Sequence, residues 1–345
     1  MKPQHLLITE SFFTDMIPAL NAALAKADIP MSVRLRADGS ASSDDYQWAD
    51  SWLGFQAPRP ALHPTIRWFH SASDGVNQFL PLREEIATHQ VLLTNTVGTM
   101  PERIAEFCVA AILGHIVGLP RYRAYQDAGE YRRHPNPTAL GRKLTVIGTG
   151  RIGSMIAQRL RPFLEGAADR IAESSGARAL GGTADRDGAT SPAESLVRGL
   201  SLSGREKPEF DAVAPLASGR YLSDADILVV ILPDTPQSKN IVNAQVLHAL
   251  QGAIVVNVGR GSTLDSAALR TAIESGSVSH AILDVFETEP LPADDWRWHH
   301  PAVTLTPHVS GYTFFSDVID DFIANLRALY AGQTPPHTVT LSQGY

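Results

Sequence analysis

The residues Gly148-Thr149-Gly150-Arg151-Ile152-Gly153 follow the apolar run Leu144-Thr145-Val146-Ile147 and precede a helical stretch from Ser154. G-x-G-x-x-G at a strand-to-helix junction suits a dinucleotide pyrophosphate. Gly148 permits the tight turn, Gly150 lets backbone come close to the phosphates, and Gly153 lets the helix pack on the strand. The helix N-terminus, where Arg151 and Ile152 sit, adds unpaired N–H groups and partial positive charge. Taken alone, such a loop can be a structural turn; the strand–loop–helix setting favours the ligand. No Gly-Lys-Ser/Thr follows, so a P-loop is excluded.

Three later stretches gather groups able to bind or move charge. They are Asn257-Val258-Gly259-Arg260-Gly261 through Asp265, Asp284-Val285-Phe286-Glu287-Thr288-Glu289, and Thr306-Pro307-His308-Val309-Ser310-Gly311. Each follows an apolar strand candidate, and open α/β sheets place ligands beyond the carboxyl ends of their strands. Singly, each has a plainer reading: a turn arginine, a solvated acidic loop, a hydrogen-bonded structural histidine.

The elements that must position these groups alternate. Strands are predicted at 5–9, 65–70, 91–94, 143–147, 227–232, 254–258, 281–285 and 303–306, and helices at 17–27, from Pro101 onward, and at about 317–331. Pro101 suits a helix start. Residues 38–45 read as loop, 134–140 as a Pro-marked connector and 187–220 as a long surface excursion. Strands alternating with helices imply an α/β fold with a parallel sheet covered on both faces. An acidic residue about 20 positions after the glycine loop would hold the ribose hydroxyls of NAD. Asp169 has the spacing but follows no convincing strand. Residues 176–183 read better as that strand, ending in Thr183 with Asp185 and Arg186 beyond. With no carboxylate at the strand end to repel a 2′-phosphate, and Arg186 nearby, the reading leans to NADP over NAD.

Composition bounds the rest. The chain has 345 residues, room for two domains, and 29 Lys+Arg against 36 Asp+Glu leave no basic footprint for nucleic acid. One cysteine, Cys108, excludes an internal disulfide and a Cys-based zinc site. No stretch has the length of a signal-peptide core or a membrane span, so a cytoplasmic protein without membrane partners is expected.

Together the motifs resemble the D-isomer-specific 2-hydroxyacid dehydrogenase family. Its N-x-x-R-G-x-x-x-D stands at 257–265, D-V-F-E-x-E-P-L-P at 284–292 and T-P-H-x-x-G at 306–311, in the family's order. G-x-G-x-x-G lies upstream, with Thr94-Asn95-Thr96-Val97-Gly98 and Ala105-Glu106 before it. The likeness spans nearly the whole chain and is weakest at 1–60 and 165–222. It implies two Rossmann/flavodoxin-like, doubly wound parallel-sheet domains. The substrate-binding domain is discontinuous, 1–100 completed by 312–345; the dinucleotide-binding domain is 101–311. A cleft that closes on substrate and excludes water is expected between them.

The resemblance further implies Arg260, Glu289 and His308 as the catalytic set, for hydride transfer between NAD(P)H and a 2-oxo acid. Arg's planar fork can hold carboxylate and carbonyl oxygens. A protonated His308 donates to the carbonyl oxygen as charge develops there, and a neighbouring carboxylate favours that protonated form. Glu289 is the carboxylate implied, with Glu287 the structural alternative. The cofactor set is Gly148, Gly150, Arg151, Ile152, Gly153, Thr183, Arg186, Leu232, Pro233, Val258, Gly259, Asp284 and Gly311, with Asp284 facing the nicotinamide carboxamide. The turn at 72–76 resembles the loop whose amides bind the substrate carboxylate, which makes Asp74 and Gly75 substrate-binding candidates beside Arg260 and His308. Asp74 stands where a small apolar residue is usual, and Asn77 where Asp is usual. Asp74 either points to solvent or meets a cationic group on the substrate. His115 reads as a satisfied core residue. Residues 296–300 read as a packed loop rather than a metal site, so no metal is expected. A homodimer through the region of the long helix is implied. The alternatives on the same fold are oxidation of formate or phosphite, and a non-catalytic NAD(H)-sensing binding protein. The substrate itself is not legible.

Overall fold

The computed structural model describes residues 1–56, 63–135, 137–165 and 196–341. The chain divides into two compact units, Met1–Met100 with Tyr312–Tyr345, and Pro101–Gly311. In chain order the first segment holds α1 (Ile17–Lys26), α2 (Ser43–Trp48) and α3 (Arg83–Thr88). The middle segment holds α4 (Met100–Ile116), α5 (Leu119–Asp127), α6 (Arg151–Glu165), α7 (Ala244–His248) and α8 (Ser266–Glu274), and the returning segment holds α9 (Phe315–Tyr330). No single helix among the described residues is long and apolar enough to cross a membrane.

In the first unit, β1 (His5–Ile8), β2 (Ser32–Leu35), β3 (Ser51–Gly54), β4 (Trp68–Ser71) and β5 (Leu92–Asn95) pair in parallel in the order β2-β1-β3-β4-β5. Strand alternation divides the core between two faces. Leu6 and Ile8 of β1 pack with Trp68 and the α9 stripe Val318, Phe322 and Leu326, while Leu7 packs with Trp52, Phe69 and Phe79 on the other face. Trp68 and Phe322 stack with ring centroids 4.8 Å apart. The returning chain also borders β5: Asn95 N donates to His337 O and Val339 N to Leu93 O.

In the second unit, β6 (Leu144–Ile147), β7 (Val197–Ser201), β8 (Ala212–Pro215), β9 (Ile227–Val230), β10 (Ala253–Asn257), β11 (Val278–Leu283) and β12 (Val303–Leu305) form a parallel sheet ordered β12-β11-β10-β9-β6-β7-β8. β6, β9 and β10 are buried along their whole length, as strands covered on both faces must be. The order reverses at β6, since β7 lies on one side of it and β9 on the other. That makes its carboxyl end a topological switch point, where such sheets bind ligands.

Four strands went unread in the sequence, β2, β3, β7 and β8, the first three for local reasons. β2 carries Arg34, which with Arg36 just beyond pairs with Asp45; the same Asp45 closes a capping box with Ser42 and turns part of the expected 38–45 loop into α2. β3 ends in Gly54, where a Cβ would lie 2.4 Å from Glu10 Oε1 and from the Trp52 ring. β7 contains Arg198, buried and bonded to Asp224 at 2.8 Å, so its charge hides an apolar strand. The expected surface excursion at 187–220 therefore contains two sheet strands, β7 and β8.

Candidate active site

The glycine loop leaves β6 as its spacing requires. Gly148 has φ +110, and a Cβ there would sit 2.2 Å from Ile231 O. A Cβ on Gly153 would sit 1.8 Å from Gly148 O, so α6 reaches the turn only through glycine. A Cβ on Gly150 would meet nothing within 4 Å, so this is the one of the three that faces open space. Arg151 is exposed and Ile152 half-buried at the start of α6. Leu232 and Pro233 follow β9 beside this turn. A Cβ on Gly259 would lie 2.7 Å from Leu232 N, so the loops after β6, β9 and β10 pack edge to edge.

Thr183 and Arg186, and the strand expected at 176–183, lie outside the described residues. The strand that pairs with β6 on this side is β7, which ends in the turn after Ser201. That turn runs Ser201-Leu202-Ser203-Gly204-Arg205-Glu206-Lys207. Ser201 Oγ accepts from Gly204 N at 3.0 Å and Ser203 Oγ from Arg205 N at 3.3 Å, and Gly204 has φ +63. Arg205 is exposed and makes no ion pair among the described residues. An open groove of about 420 Å³ is lined by Gly150, Arg151, Ser154, Lys207 and neighbouring residues.

Arg260, Glu289 and His308 follow β10, β11 and β12, three adjacent strands. Asn257 Nδ2 donates to Arg260 O, which also accepts from Thr263 Oγ1 at 2.6 Å. The Arg260 guanidinium bonds only its neighbour Gly259 O, at 2.8 Å, and has no ion pair among the described residues. The motif's Asp265 caps α8 by accepting from Ala267 N and Ala268 N. Gly261 packs so tightly that its Cβ would fall 1.9 Å from Phe286 C, which locks the arginine loop against the acidic loop. There Glu289 Oε1 accepts from Phe286 N at 2.9 Å, and Oε2 meets His308 Nδ1 at 2.7 Å. Glu289, rather than Glu287, is therefore the carboxylate on the histidine. His308 holds the left-handed φ of +54 with its side chain 45% exposed, which leaves Nε2 accessible.

Asp284, expected to face a nicotinamide carboxamide, holds the neighbouring loop in the structure. It is fully buried and accepts from Thr306 Oγ1 at 2.6 Å, Val309 N at 2.9 Å and Ser310 N at 3.0 Å. Its backbone carbonyl accepts from His308 N. Asp284 therefore anchors the loop that carries His308 and leads to Gly311. Val258 is buried beneath this surface. Cys108, also buried, has its thiol pushed up by burial.

The first unit presents its own loop beyond β4. Ser73 Oγ donates to Gly75 O at 2.8 Å, and Gln78 Nε2 steadies Ser71 Oγ and Gly75 O. The Gly75 and Val76 amides donate to no partner among the described residues. Asn95 Nδ2 donates to Asp74 O at 2.8 Å and to Asp74 Oδ1 at 3.2 Å. Asp74 is thus tied back toward β5.

His115 stacks on His280 with centroids 3.9 Å apart, and burial pushes both down, His280 to about 4. Trp296 packs edge-on against His300. No cluster of three or more His, Cys, Asp or Glu able to hold a metal occurs among the described residues.

A model of the D-isomer specific 2-hydroxyacid dehydrogenase NAD binding domain matches residues 194–310. An "Uncharacterized protein in mprR 3′region" of Streptomyces coelicolor is 34% identical over 282 residues, 82% of this chain and 90% of that protein. Glyoxylate/hydroxypyruvate reductase A of Serratia proteamaculans is 30% identical over 248 residues, 71% of this chain and 70% of that protein. The chain belongs to the D-isomer specific 2-hydroxyacid dehydrogenase family. A solved family member from Xanthobacter autotrophicus Py2, in complex with NADPH and MES, superposes with a TM-score of 0.79 at 25% identity, covering 100% of both chains.

As a 2-hydroxyacid dehydrogenase the chain is an oxidoreductase of small 2-oxo and 2-hydroxy acids whose coenzyme is NAD or NADP. The residues present fit that group. Two glycines are filled by their own backbone, the third opens onto space, and a helix of 15 residues starts at that point. Sequence reasoning missed the β7 turn because Arg198 masked its strand; the lack of a carboxylate at 201–205 was the signal that could have marked it.

Proposed function

We propose that this dehydrogenase reduces a 2-oxo acid to its 2-hydroxy acid, reversibly, and prefers NADPH to NADH. The observation that carries the reaction is the His308–Glu289 contact of 2.7 Å on the same sheet edge as an arginine without an ion pair among the described residues. The bound coenzyme supplies the hydride that reaches C2 of the oxo acid. As charge develops on the carbonyl oxygen, His308 gives it a proton from Nε2, and in the opposite direction takes that proton back as general base. Glu289 on Nδ1 fixes the ring's orientation and tautomer and stabilises the imidazolium. Arg260, with five donors in a planar fork, is suited to the carboxylate and carbonyl oxygens of the substrate. In the first unit the Gly75 and Val76 amides, without a partner among the described residues, are suited to a carboxylate.

Gly148, Gly150 and Gly153 with the start of α6 would hold the pyrophosphate. Preference for NADPH rests on the turn after β7, where two serines and Arg205 stand in place of an acid; an arginine there accommodates a 2′-phosphate. The Xanthobacter relative crystallised with NADPH supports that reading. The chain is further read as a cytoplasmic homodimer. No residue of α5 is buried in the single chain, and Leu119 on it is 60% exposed, a surface that a second copy would cover.

The test is a spectrophotometric panel of 2-oxo acids, glyoxylate included, with NADH and NADPH in parallel. NADPH oxidation matched mole for mole by 2-hydroxy acid is the expected result. Failure of both coenzymes with every acid overturns the reading in favour of a binding role. Light scattering at two concentrations tests the dimer.

A further inference from the structure

Arg297 lies on the short helical turn Trp296–His299 that follows the acidic loop, and its side chain is nine-tenths buried. Its Nε donates to Asp295 Oδ1 at 2.8 Å and its Nη2 to Asp295 Oδ2 at 2.7 Å. Asp295 Oδ1 also accepts from Arg297 N at 2.9 Å. These bonds hold the Asp295 carboxyl below the usual carboxylate range. A buried ion pair adds little net stability over an apolar pair of the same volume; what a two-point pair adds is a fixed guanidinium. That guanidinium is aimed at one neighbour: Arg297 Cζ stands over the Phe286 ring, 5.3 Å from its centroid, within cation–π distance.

Phe286 is where the arginine loop and the acidic loop meet. Its N–H donates to Glu289 Oε1 at 2.9 Å, and Glu289 Oε2 meets His308 Nδ1 at 2.7 Å. Its carbonyl oxygen lies 2.3 Å from where a Cβ on Gly261, next to Arg260, would stand. Its ring belongs to the core of the second unit. The turn that carries Arg297 is closed on itself: Asp295 N donates to Pro292 O at 3.1 Å, and Trp298 Nε1 donates to the same oxygen at 2.8 Å. The guanidinium thus reaches Phe286 from a braced support. The loops after β10 and β11 also bring Arg260, Asp284 and Glu287 to this sheet edge. Among the described residues only Glu289 bonds the His308 imidazole.

We propose that Arg297 is a positioning residue for the reaction: braced by Asp295 it holds Phe286, and through the Phe286 N–H it sets the Glu289 carboxylate for His308. The inference rests on the reductase reading above. Without the guanidinium the Phe286 peptide is held by packing alone, and Glu289 Oε1 loses its fixed donor. The carboxylate can then rotate off Nδ1. His308 loses both its orientation and the negative charge that favours the imidazolium. Arg297 acts at one remove from the reacting atoms, so binding of substrate and coenzyme is spared.

The experiment compares the wild type with Arg297→Lys and with the double variant Asp295→Asn, Arg297→Met, which removes both charges together and keeps a side-chain acceptor at position 295. The readouts are kcat and KM for the best acid of the panel, the pH profile of kcat, and the titration of the His308 ring followed by NMR without coenzyme. In the double variant kcat should fall about ten- to a hundredfold, the cost of slightly misplacing a catalytic group, with KM within about threefold. The fall of reductive kcat with rising pH and the His308 titration should both move down by about one pH unit. Arg297→Lys, still a cation beside Asp295, should recover most of both. A double variant with unchanged kcat, or with lower kcat and both titrations in place, overturns the inference. So does a rise in substrate KM with kcat unmoved, which puts Arg297 on the substrate. Phe286→Leu keeps the core filled and removes the ring face, so it should reproduce the shift; a wild-type His308 titration there overturns the inference even if the double variant does not fold. Turnover of no acid with either coenzyme defeats the reductase reading, while the His308 titration still tests the chain of contacts from Arg297.

Discussion

His308 is constrained from three directions: its backbone in the left-handed region, its amide on Asp284 O, and its Nδ1 on Glu289. One ring nitrogen is therefore committed and the other is left for chemistry. We expect His308→Gln to lower kcat by about 10²–10⁴ with a smaller change in KM, the usual range for losing a general acid. Steady-state kinetics check it, and near-wild-type turnover would remove His308 from the mechanism. Arg260→Lys keeps the charge and loses the fork, so substrate KM should rise about tenfold or more, with Arg260→Ala worse. An equal KM in the lysine variant would mean that the arginine acts only as a charge. At this scale the legibility came from the resemblance, whose motifs at 257–265, 284–292 and 306–311 single out Arg260, Glu289 and His308; the structure brings the last two within 2.7 Å. The part Asp284 plays in holding the His308 loop was not legible, because its burial and three donors arise only when β11 and β12 lie side by side. Asp74 was left open for a similar reason: its partner Asn95 lies one strand away and 21 residues on.

The glycine turn and the β7 turn divide their work in ways that substitutions can separate. Gly150→Ala adds a methyl that meets nothing in the protein, so stability should change by no more than about 0.5 kcal/mol while coenzyme affinity falls. Gly153→Ala places the methyl on Gly148 O and should cost about 1–3 kcal/mol through forced backbone movement. Thermal melts with and without NADPH distinguish the two; equal losses of stability would refute the division. On the β7 turn, Arg205→Ala should raise KM for NADPH about tenfold and leave that for NADH nearly unchanged, since a charged hydrogen bond is worth roughly 1.5–3 kcal/mol. Ser203→Glu should reverse the preference by repelling the 2′-phosphate. An Arg205→Ala enzyme with both KM values unmoved would place the phosphate elsewhere. The alternating strands and the long helices were readable because apolar periodicity marks them. β2, β3 and β7 were not, because an edge strand with paired arginines, a strand ending in an obligatory glycine and a strand with a buried ion pair break that periodicity.

Each unit carries a histidine that burial pushes far down. His70, buried on β4 between Thr94 Oγ1 at 2.8 Å and Thr96 Oγ1 at 3.1 Å, is pushed down to about 3, and His280 to about 4. The unfolded chain takes up these protons near pH 6.5 and the folded chain refuses them until far lower. Stability is therefore fully present above about pH 6.5 and is lost as pH falls toward 4 for His280 and 3 for His70, by a few kcal/mol in all. Urea titrations between pH 7 and 4.5 should show a falling midpoint, and His70→Gln should flatten the slope; an unchanged slope would mean that His70 is not the titrating group. The return of α9 to the first sheet has a consequence for biosynthesis. When residue 100 leaves the ribosome, the sheet face around Trp68 has no helix to cover it, and the Val97 and Gly98 amides await Asp321, 224 and 223 residues later. The segment up to Gly311, by contrast, emerges with its own sheet complete. Folding in the cell should then run against the usual N-terminal-first order. The nascent amino-terminal hundred residues would be the part that needs a chaperone, and protease protection on stalled chains should appear first in the middle of the sequence.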